Sequence, residues 1–355
     1  MVSIELSKYS GLLSKTDLVI PDNEILEQSS NTLAAAFCAT LVKDEDILAD
    51  LTAGLGINTY FYSQKVEKVY AVEKSKSRAD ALVSNLRTWG CDNVKIICDD
   101  SLTWLKEAPT NITVVFVDPS RRRGLRKLVK LQDCSPDIFQ IIPILNKDVR
   151  ILVKSSPLLD ITSIVNQVEN LSGVYILEVK GEVKELLLDI HTSQHNPEGR
   201  QFIKCCRLSL TGTEELEFNI GDIGDSNGIS YLYSEKDLAE GYYIYEPSSS
   251  LMKASCWGAF AKRYDKMYKF AKDSHLFYSE KKHLDFPGRI FQMRKIIHSS
   301  DLKKMKGGKV NIISRNHPAK ASEIERRYNF VPDGKDYIIA TQTLSGKVML
   351  LAERI

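Results

Sequence analysis

"DLTAGLGINTYFYSQKVEKVYAVEKS", from Asp50 to Ser75, reads as the end of a strand, a glycine turn, a helix and a second strand that finishes on a carboxylate. Gly54 and Gly56 permit a tight turn and let a ligand approach main-chain N–H groups. A dinucleotide fingerprint places a third glycine three residues after the second, and that position is Thr59. No Gly-Lys-Ser/Thr follows, which excludes a Walker loop. Glu73 stands about twenty residues on, with two oxygens suited to accept both hydroxyls of a ribose. Asp50 sits where a carboxylate accepts from a cationic amino group, directly or through water. The pattern asks for a ligand with an amino-acid head, a ribose and no phosphate.

Outward from this stretch the chain keeps one rhythm. Apolar runs at "DILADL", "KVYAVE", "VKIICDD", "TVVFVDP" and "VRILVKSS" are separated by helical or loop segments. That alternation predicts a parallel sheet covered on both faces. "GVYILEVKGEVKELLLDIH" and "QFIKCCRLSL" leave no room for a helix between their first two runs and predict a hairpin closing the sheet edge. "TGTEELEFNIGDIGDSNGIS" (211–230) carries four glycines and several acids and reads as an exposed loop or boundary.

Residues 45 to 155 resemble the class I S-adenosylmethionine-dependent methyltransferases. The match covers successive strand-end motifs: "DLTAGLG" resembles the first, "AVE" the acidic second strand, "ICDDSL" the third and "VFVDPSRR" the fourth. The resemblance implies a Rossmann-like α/β fold with a seven-stranded sheet. It implies that S-adenosylmethionine is held by Asp50, Thr52, Gly54, Gly56, Glu73, Asp100 and Asp118, with Asp100 on the adenine.

The acceptor side is expected at "VFVDPSRRRGLRKLVK" (115–130). Asp118 ends a strongly apolar strand, so it emerges at the carboxyl edge where open α/β folds hold ligands. Pro119 leaves nearby carbonyls without a helical partner, free to accept from a substrate amino group. Methyltransferases of nucleobase nitrogen carry Asp/Asn-Pro-Pro and an aromatic there, whereas this chain has Ser120 and Arg121. Asp118, Pro119 and Ser120 are the catalytic candidates. Arg121, Arg122 and Arg123, in a run with six basic residues in ten, are candidates for substrate phosphates, as is Lys154 beside Ser155 and Ser156 at the next strand end. Glu182, Lys184 and Glu185 form a further polar patch that reads equally well as a solvated strand end. Seven scattered cysteines show no C-x-x-C pair, Cys134 and Cys205-Cys206 have no flanking general base, and the six histidines form no metal spacing, so covalent catalysis and a metal site are disfavoured. Cys98 is expected in a buried strand.

The net charge of +2 conceals an asymmetry: Lys253 to Arg327 holds 19 Lys or Arg against 7 Asp or Glu, a local excess of +12. Such a segment is built to meet an anion. "YYIYEPSSSLMKASCWGAFAKRYDKMYKFAKDSHLFYS" (242–279) reads as mainly helical and resembles a small ferredoxin-like insert. From about residue 283, notably in "SRNHPAKASEIERRYNFVPDGKDYIIA", the chain resembles the THUMP-like module of bacterial RNA methyltransferase-like proteins, which implies RNA binding. The interleaved aromatics from Trp257 to Tyr278 fit packing better than base stacking.

The expected organisation is a helical segment (1–45), a methyltransferase domain (46–235), a ferredoxin-like module (240–282) and a THUMP-like domain (283–355). No apolar run approaches the ~18 residues that span a bilayer, and no signal peptide is read, so a cytoplasmic enzyme is expected. It would methylate a base nitrogen of rRNA or tRNA. The altered Asp-Pro motif keeps open an RNA-binding assembly factor with a vestigial cofactor pocket. An enzyme acting on a protein or small molecule is the third alternative.

Overall fold

The computed structural model describes residues 18–22, 30–120, 122–123, 126–127, 131–146, 148–193 and 201–355. The chain divides into two compact units, Met1–Ile220 and Gly221–Ile355.

The first unit is built on a nine-stranded sheet. Five strands carry the opening rhythm: β1 (Ile47–Asp50), β2 (Lys68–Val72), β3 (Val94–Ile97), β4 (Val114–Val117) and β7 (Arg150–Ser155). Between β4 and β7 lies a small hairpin of β5 (Arg122–Arg123) and β6 (Arg126–Lys127). The sheet continues with β8 (Leu171–Val179), β9 (Glu182–His191), β10 (Phe202–Ser209) and β11 (Gly212–Asn219), in the order β11-β10-β8-β9-β7-β4-β1-β2-β3. β3, β2, β1, β4 and β7 run parallel, and β9 is inserted antiparallel between β7 and β8. Every residue of β4 and β8 is buried, the signature of strands covered on both faces.

Two expectations change. The β8–β9 hairpin lies inside the sheet, because β9 fills the gap beside β7, and β10–β11 forms the edge instead. The stretch read as a loop supplies β11, whose pattern of exposed acids and a buried Phe218 suits an edge strand with one wet face. The first unit accordingly ends at Ile220, ahead of the expected boundary at 235. Of the expected N-terminal helical segment, residues 1–17 and 23–29 lie outside the described residues. Helix α1 (Thr32–Ala39) is capped by Asn31, whose side chain accepts from Leu33 N–H. It buries Ala34, Phe37 and Cys38 in the core with Tyr175 and Cys206.

Three short helices serve the site: α2 (Ile57–Ser63), α3 (Lys76–Thr88) and α4 (Ser101–Leu105). Gly56, at the entry to α2, has φ +89°, and an added Cβ would lie 2.7 Å from Leu82 Cδ1 on α3. Glycine is needed there for both backbone and packing.

The second unit holds one eight-stranded sheet: β12 (Ser230–Tyr231), β13 (Tyr243–Pro247), β14 (Met267–Lys269), β15 (Phe277–Ser279), β16 (Gly288–Ile296), β17 (Asn311–Ser314), β18 (Asp336–Gln342) and β19 (Lys347–Arg354). The span 242–279 is therefore strands around two short helices, not a mainly helical module. β13 pairs with both β15 and β16, so the sheet runs through residues 240–282 and 283–355 alike. Helix α5 (Ala321–Tyr328) buries Ile324 and Tyr328 and stops at Asn329 in the left-handed region. Of the interleaved aromatics, Trp257, Phe260, Phe270, Phe277 and Tyr278 are core residues, Tyr264 is half-buried and Tyr268 on β14 is exposed, so the packing expectation holds for most of them though not by the helical spacing that suggested it.

Candidate active site

Strand order reverses at β1 and β4, whose carboxyl ends flank the crevice where open α/β sheets hold ligands. β1, β2, β3 and β4 each end in or just before an acid: Asp50, Glu73, Asp99 with Asp100, and Asp118. These ends are wired together. Thr52 Oγ1 accepts from Asp118 N–H at 2.7 Å, joining the turn after β1 to the end of β4. Glu73, at the tip of β2, accepts from Gly54 N–H at 3.2 Å and from Ser75 N–H at 2.9 Å. Ser101 Oγ donates to the Leu51 carbonyl at 2.6 Å, drawing α4 onto the same turn.

Asp50 is 0 % exposed. Its carboxylate accepts from Thr52 N–H at 3.1 Å and from Thr59 Oγ1 at 2.7 Å. Thr59, the residue that breaks the dinucleotide fingerprint, is thus the internal partner of Asp50. Burial pushes the Asp50 carboxyl up to about 6 against the opposing pull of these two hydrogen bonds. Asp50 thus braces the turn from beneath.

Asp100 caps α4, accepting from Leu102 and Thr103 N–H, and pairs with Lys74 at 3.0 Å. The Lys74 hydrogen bond holds its carboxyl below the usual range.

Around Asp118 the structure assembles a buried polar cluster. Lys154 Nζ lies 2.7 Å from Asp118 Oδ2 and 2.9 Å from Glu185 Oε2, and donates to Ser30 Oγ at 2.7 Å. Asn58 Nδ2 donates to the same serine at 2.6 Å. Burial opposes the charge on Lys154, but Asp118 and Glu185 together outweigh it and keep the ammonium protonated well beyond its ordinary range. Glu185 arrives here through a bulge: Leu177 faces Glu185 and Glu178 faces Val183, so Lys184 is skipped and stays exposed. Sequence reasoning flagged the Glu185 patch without assigning it a role, and gave no sign of Ser30 or Asn58.

Ser120 exchanges backbone hydrogen bonds with Ser135, its N–H donating at 2.7 Å and its carbonyl accepting at 3.0 Å. Arg121 lies outside the described residues, and Arg122 and Arg123 are described as the backbone of β5 only. Cys98 lies just past β3 and is exposed, correcting the expectation of burial. Burial raises the thiols of Cys38 and Cys206 well above their ordinary value, leaving them protonated.

Above the buried Asp50, the described side chains at this edge include Glu73, Asp99, Asp100, Asp118 and Glu185, with Lys74 paired to Asp100 and Lys154 to Asp118 and Glu185. An acidic crevice repels a pyrophosphate and suits a ligand carrying positive charge.

The sheet order, the inserted antiparallel strand and the acid-tipped crevice define the mixed α/β fold of methyltransferases. Over 98 % of its length the chain is similar to a candidate methyltransferase from Porphyromonas gingivalis W83, with 27 % identity, 86 % of that chain covered and a TM-score of 0.83. Partial likenesses include an rRNA methylase from Streptococcus thermophilus (16 % identity, 45 % of this chain and 93 % of that chain, TM-score 0.34). Another is a candidate methyltransferase from Streptococcus mutans in complex with SAH (17 % identity, 45 % and 95 %, TM-score 0.34). Residues 243–287 match a ferredoxin-like domain family. No curated protein sequence matches the chain. Among the described residues no helix is long and apolar enough to cross a membrane.

Proposed function

We propose that the chain is an S-adenosylmethionine-dependent methyltransferase that modifies a base nitrogen of rRNA or tRNA. The observation that carries the cofactor reading is the acidic switch-point crevice, which fits a cationic sulfonium and amino group where a dinucleotide's phosphates would be repelled. Likeness to the P. gingivalis protein over nearly the whole chain supports it. When bound, the cofactor supplies an electrophilic methyl group.

The chain's own residues then have separable tasks. Glu73 spends one acceptor site per oxygen on Gly54 and Ser75, keeping lone pairs for ribose hydroxyls. Asp100, anchored by Lys74 and the α4 amides, faces the adenine side. Lys154 occupies Asp118 Oδ2 and fixes its rotamer, so Oδ1 and the Pro119 carbonyl remain to orient an acceptor amino group. Catalysis is by positioning; the Cys38 thiol beside this cluster is held protonated by burial.

RNA as acceptor is supported by the +12 excess between Lys253 and Arg327 and by the "SRNHPAKASEIERRY" resemblance to a THUMP-like module. A cytoplasmic location follows from the same reading. Mass spectrometry of nucleosides from rRNA and tRNA of a deletion strain tests it: one methylated nucleoside should vanish and return with the wild-type gene but not with Asp118→Ala. An unchanged nucleoside profile would overturn the RNA-methylation reading. It would favour an RNA-binding assembly factor, for which the engagement of Ser120 with Ser135 is the structural argument.

A further inference from the structure

We propose that Arg289 and Arg315, held side by side on the buried carboxylate of Glu246, form the floor of a phosphate-binding pocket in the second unit that takes a phosphodiester group of bound RNA. The RNA source rests on the proposed function; the phosphate chemistry stands on the pocket itself.

Glu246 is 3 % exposed on β13 and faces Arg289 across the ladder with β16. Its Oε2 accepts from Arg289 Nε at 2.5 Å and from Nη2, and its Oε1 accepts from Arg315 Nε at 3.0 Å and Nη2 at 2.8 Å. One carboxylate thus pins two guanidiniums by the same edge. Arg315 Nη1 is left with only a 3.4 Å contact to the Ser314 carbonyl, and Arg289 Nη1 has no partner among the described residues. Arg289 is further fixed over the Phe291 ring at 5.7 Å. Gly288 permits this approach, because a Cβ there would lie 2.1 Å from the Glu246 carbonyl oxygen.

The two guanidiniums open into a cavity of about 290 Å³ lined also by Asn311, Ser314, Tyr337 and Glu325. Their side chains stay 38 % and 41 % exposed. Among the described residues Glu325 is the one carboxylate on the cavity wall, Glu246 lying buried beneath the two arginines. More positive charge lies nearby. Lys269 is 3 % exposed and donates to the Lys272 carbonyl at 2.8 Å, with the carboxylate of Asp273 close enough to offset part of its charge. His275 is held below its ordinary pKa by burial and then by the positive charge of Lys269 and Arg315. One carboxylate per arginine would serve a purely structural pair. A shared carboxylate leaves the outer forked donors of both guanidiniums facing an open cavity, the arrangement that suits phosphate.

The test uses the full chain, a fluorescein-labelled tRNA transcript read by anisotropy, and UMP titrated against arginine Nε–H resonances. Arg315→Gln and Arg289→Gln should weaken tRNA binding roughly 10-fold or more. Each should also flatten the dependence of log affinity on log salt by about 0.7 to 0.9. Arg315→Lys, which keeps a cation beside Glu246 and so guards against misfolding, should retain most of the slope yet still bind more weakly. Wild-type affinity and slope in all three variants would overturn the pocket and leave the RNA reading standing. If wild type binds no tRNA while UMP shifts its arginine resonances but not those of Arg315→Gln, the phosphate pocket is upheld and RNA as its source is overturned. Response to neither probe overturns both.

Discussion

Replacing Lys154 by methionine removes the cation that, among the described residues, bridges Asp118 and Glu185, while keeping much of the side-chain volume. Lys154 is 6 % exposed and its ammonium lies within 3 Å of both carboxylates. Deleting one partner of a buried ion pair leaves uncompensated charge and costs about 3–5 kcal/mol. For a unit of this size that lowers Tm by roughly 6–20 °C. The pH dependence discriminates further. In the wild type the folded-state pKa of Lys154 lies above its ordinary value of 10.5, so its contribution is fully present below pH 10.5 and lost only as pH rises through the folded value. Wild-type stability should therefore be flat with respect to this group from pH 6 to 9. In Lys154→Met the two stranded carboxylates take up protons as pH falls, so the deficit should shrink towards pH 4. Adding Glu185→Gln should recover part of the loss at neutral pH. Urea unfolding of both proteins across pH 4–9 measures this. A deficit below about 1 kcal/mol with no dependence on pH would refute the reasoning.

Other expectations follow from the same edge. Asp50 ionises near 3.8 when unfolded and about 6 when folded, so folding loses stability as pH rises through that window, by at most about 3 kcal/mol. Asp50→Asn removes this dependence, and its stability relative to wild type should improve between pH 4 and 7; a constant gap contradicts the assignment. Gly56→Ala forces a Cβ into Leu82 at φ +89° and should cost about 1–3 kcal/mol in urea unfolding. Asp118→Ala should leave cofactor affinity within a few-fold of wild type while abolishing transfer, read by calorimetry and by tritium incorporation.

The parallel core was legible because strands buried on both faces appear as plain apolar runs, and "TVVFV" could be little else. The acids at Glu73, Asp100 and Asp118 were legible because each closes such a run. β11 was not: "GTEELEFN" exposes most of its side chains, and an edge strand that is polar on one face looks like a loop. The insertion of β9 between β7 and β8 depends on pairing across the sheet, which no local pattern encodes. For the same reason the contact between Lys154 and Asp118, 36 residues apart, was invisible until the strands were aligned. Asp50 was placed correctly at the strand end, yet its burial depends on Thr59 folding back over it.

The central claim is that the crevice at β1, β2 and β4 holds S-adenosylmethionine, and titration calorimetry of the full chain with S-adenosylhomocysteine and S-adenosylmethionine tests it most directly. One equivalent should bind, and Glu73→Ala should weaken binding by about 10- to 150-fold, the worth of a charge-assisted hydrogen bond. Absence of heat with the wild type, or equal affinity in Glu73→Ala, would contradict the account.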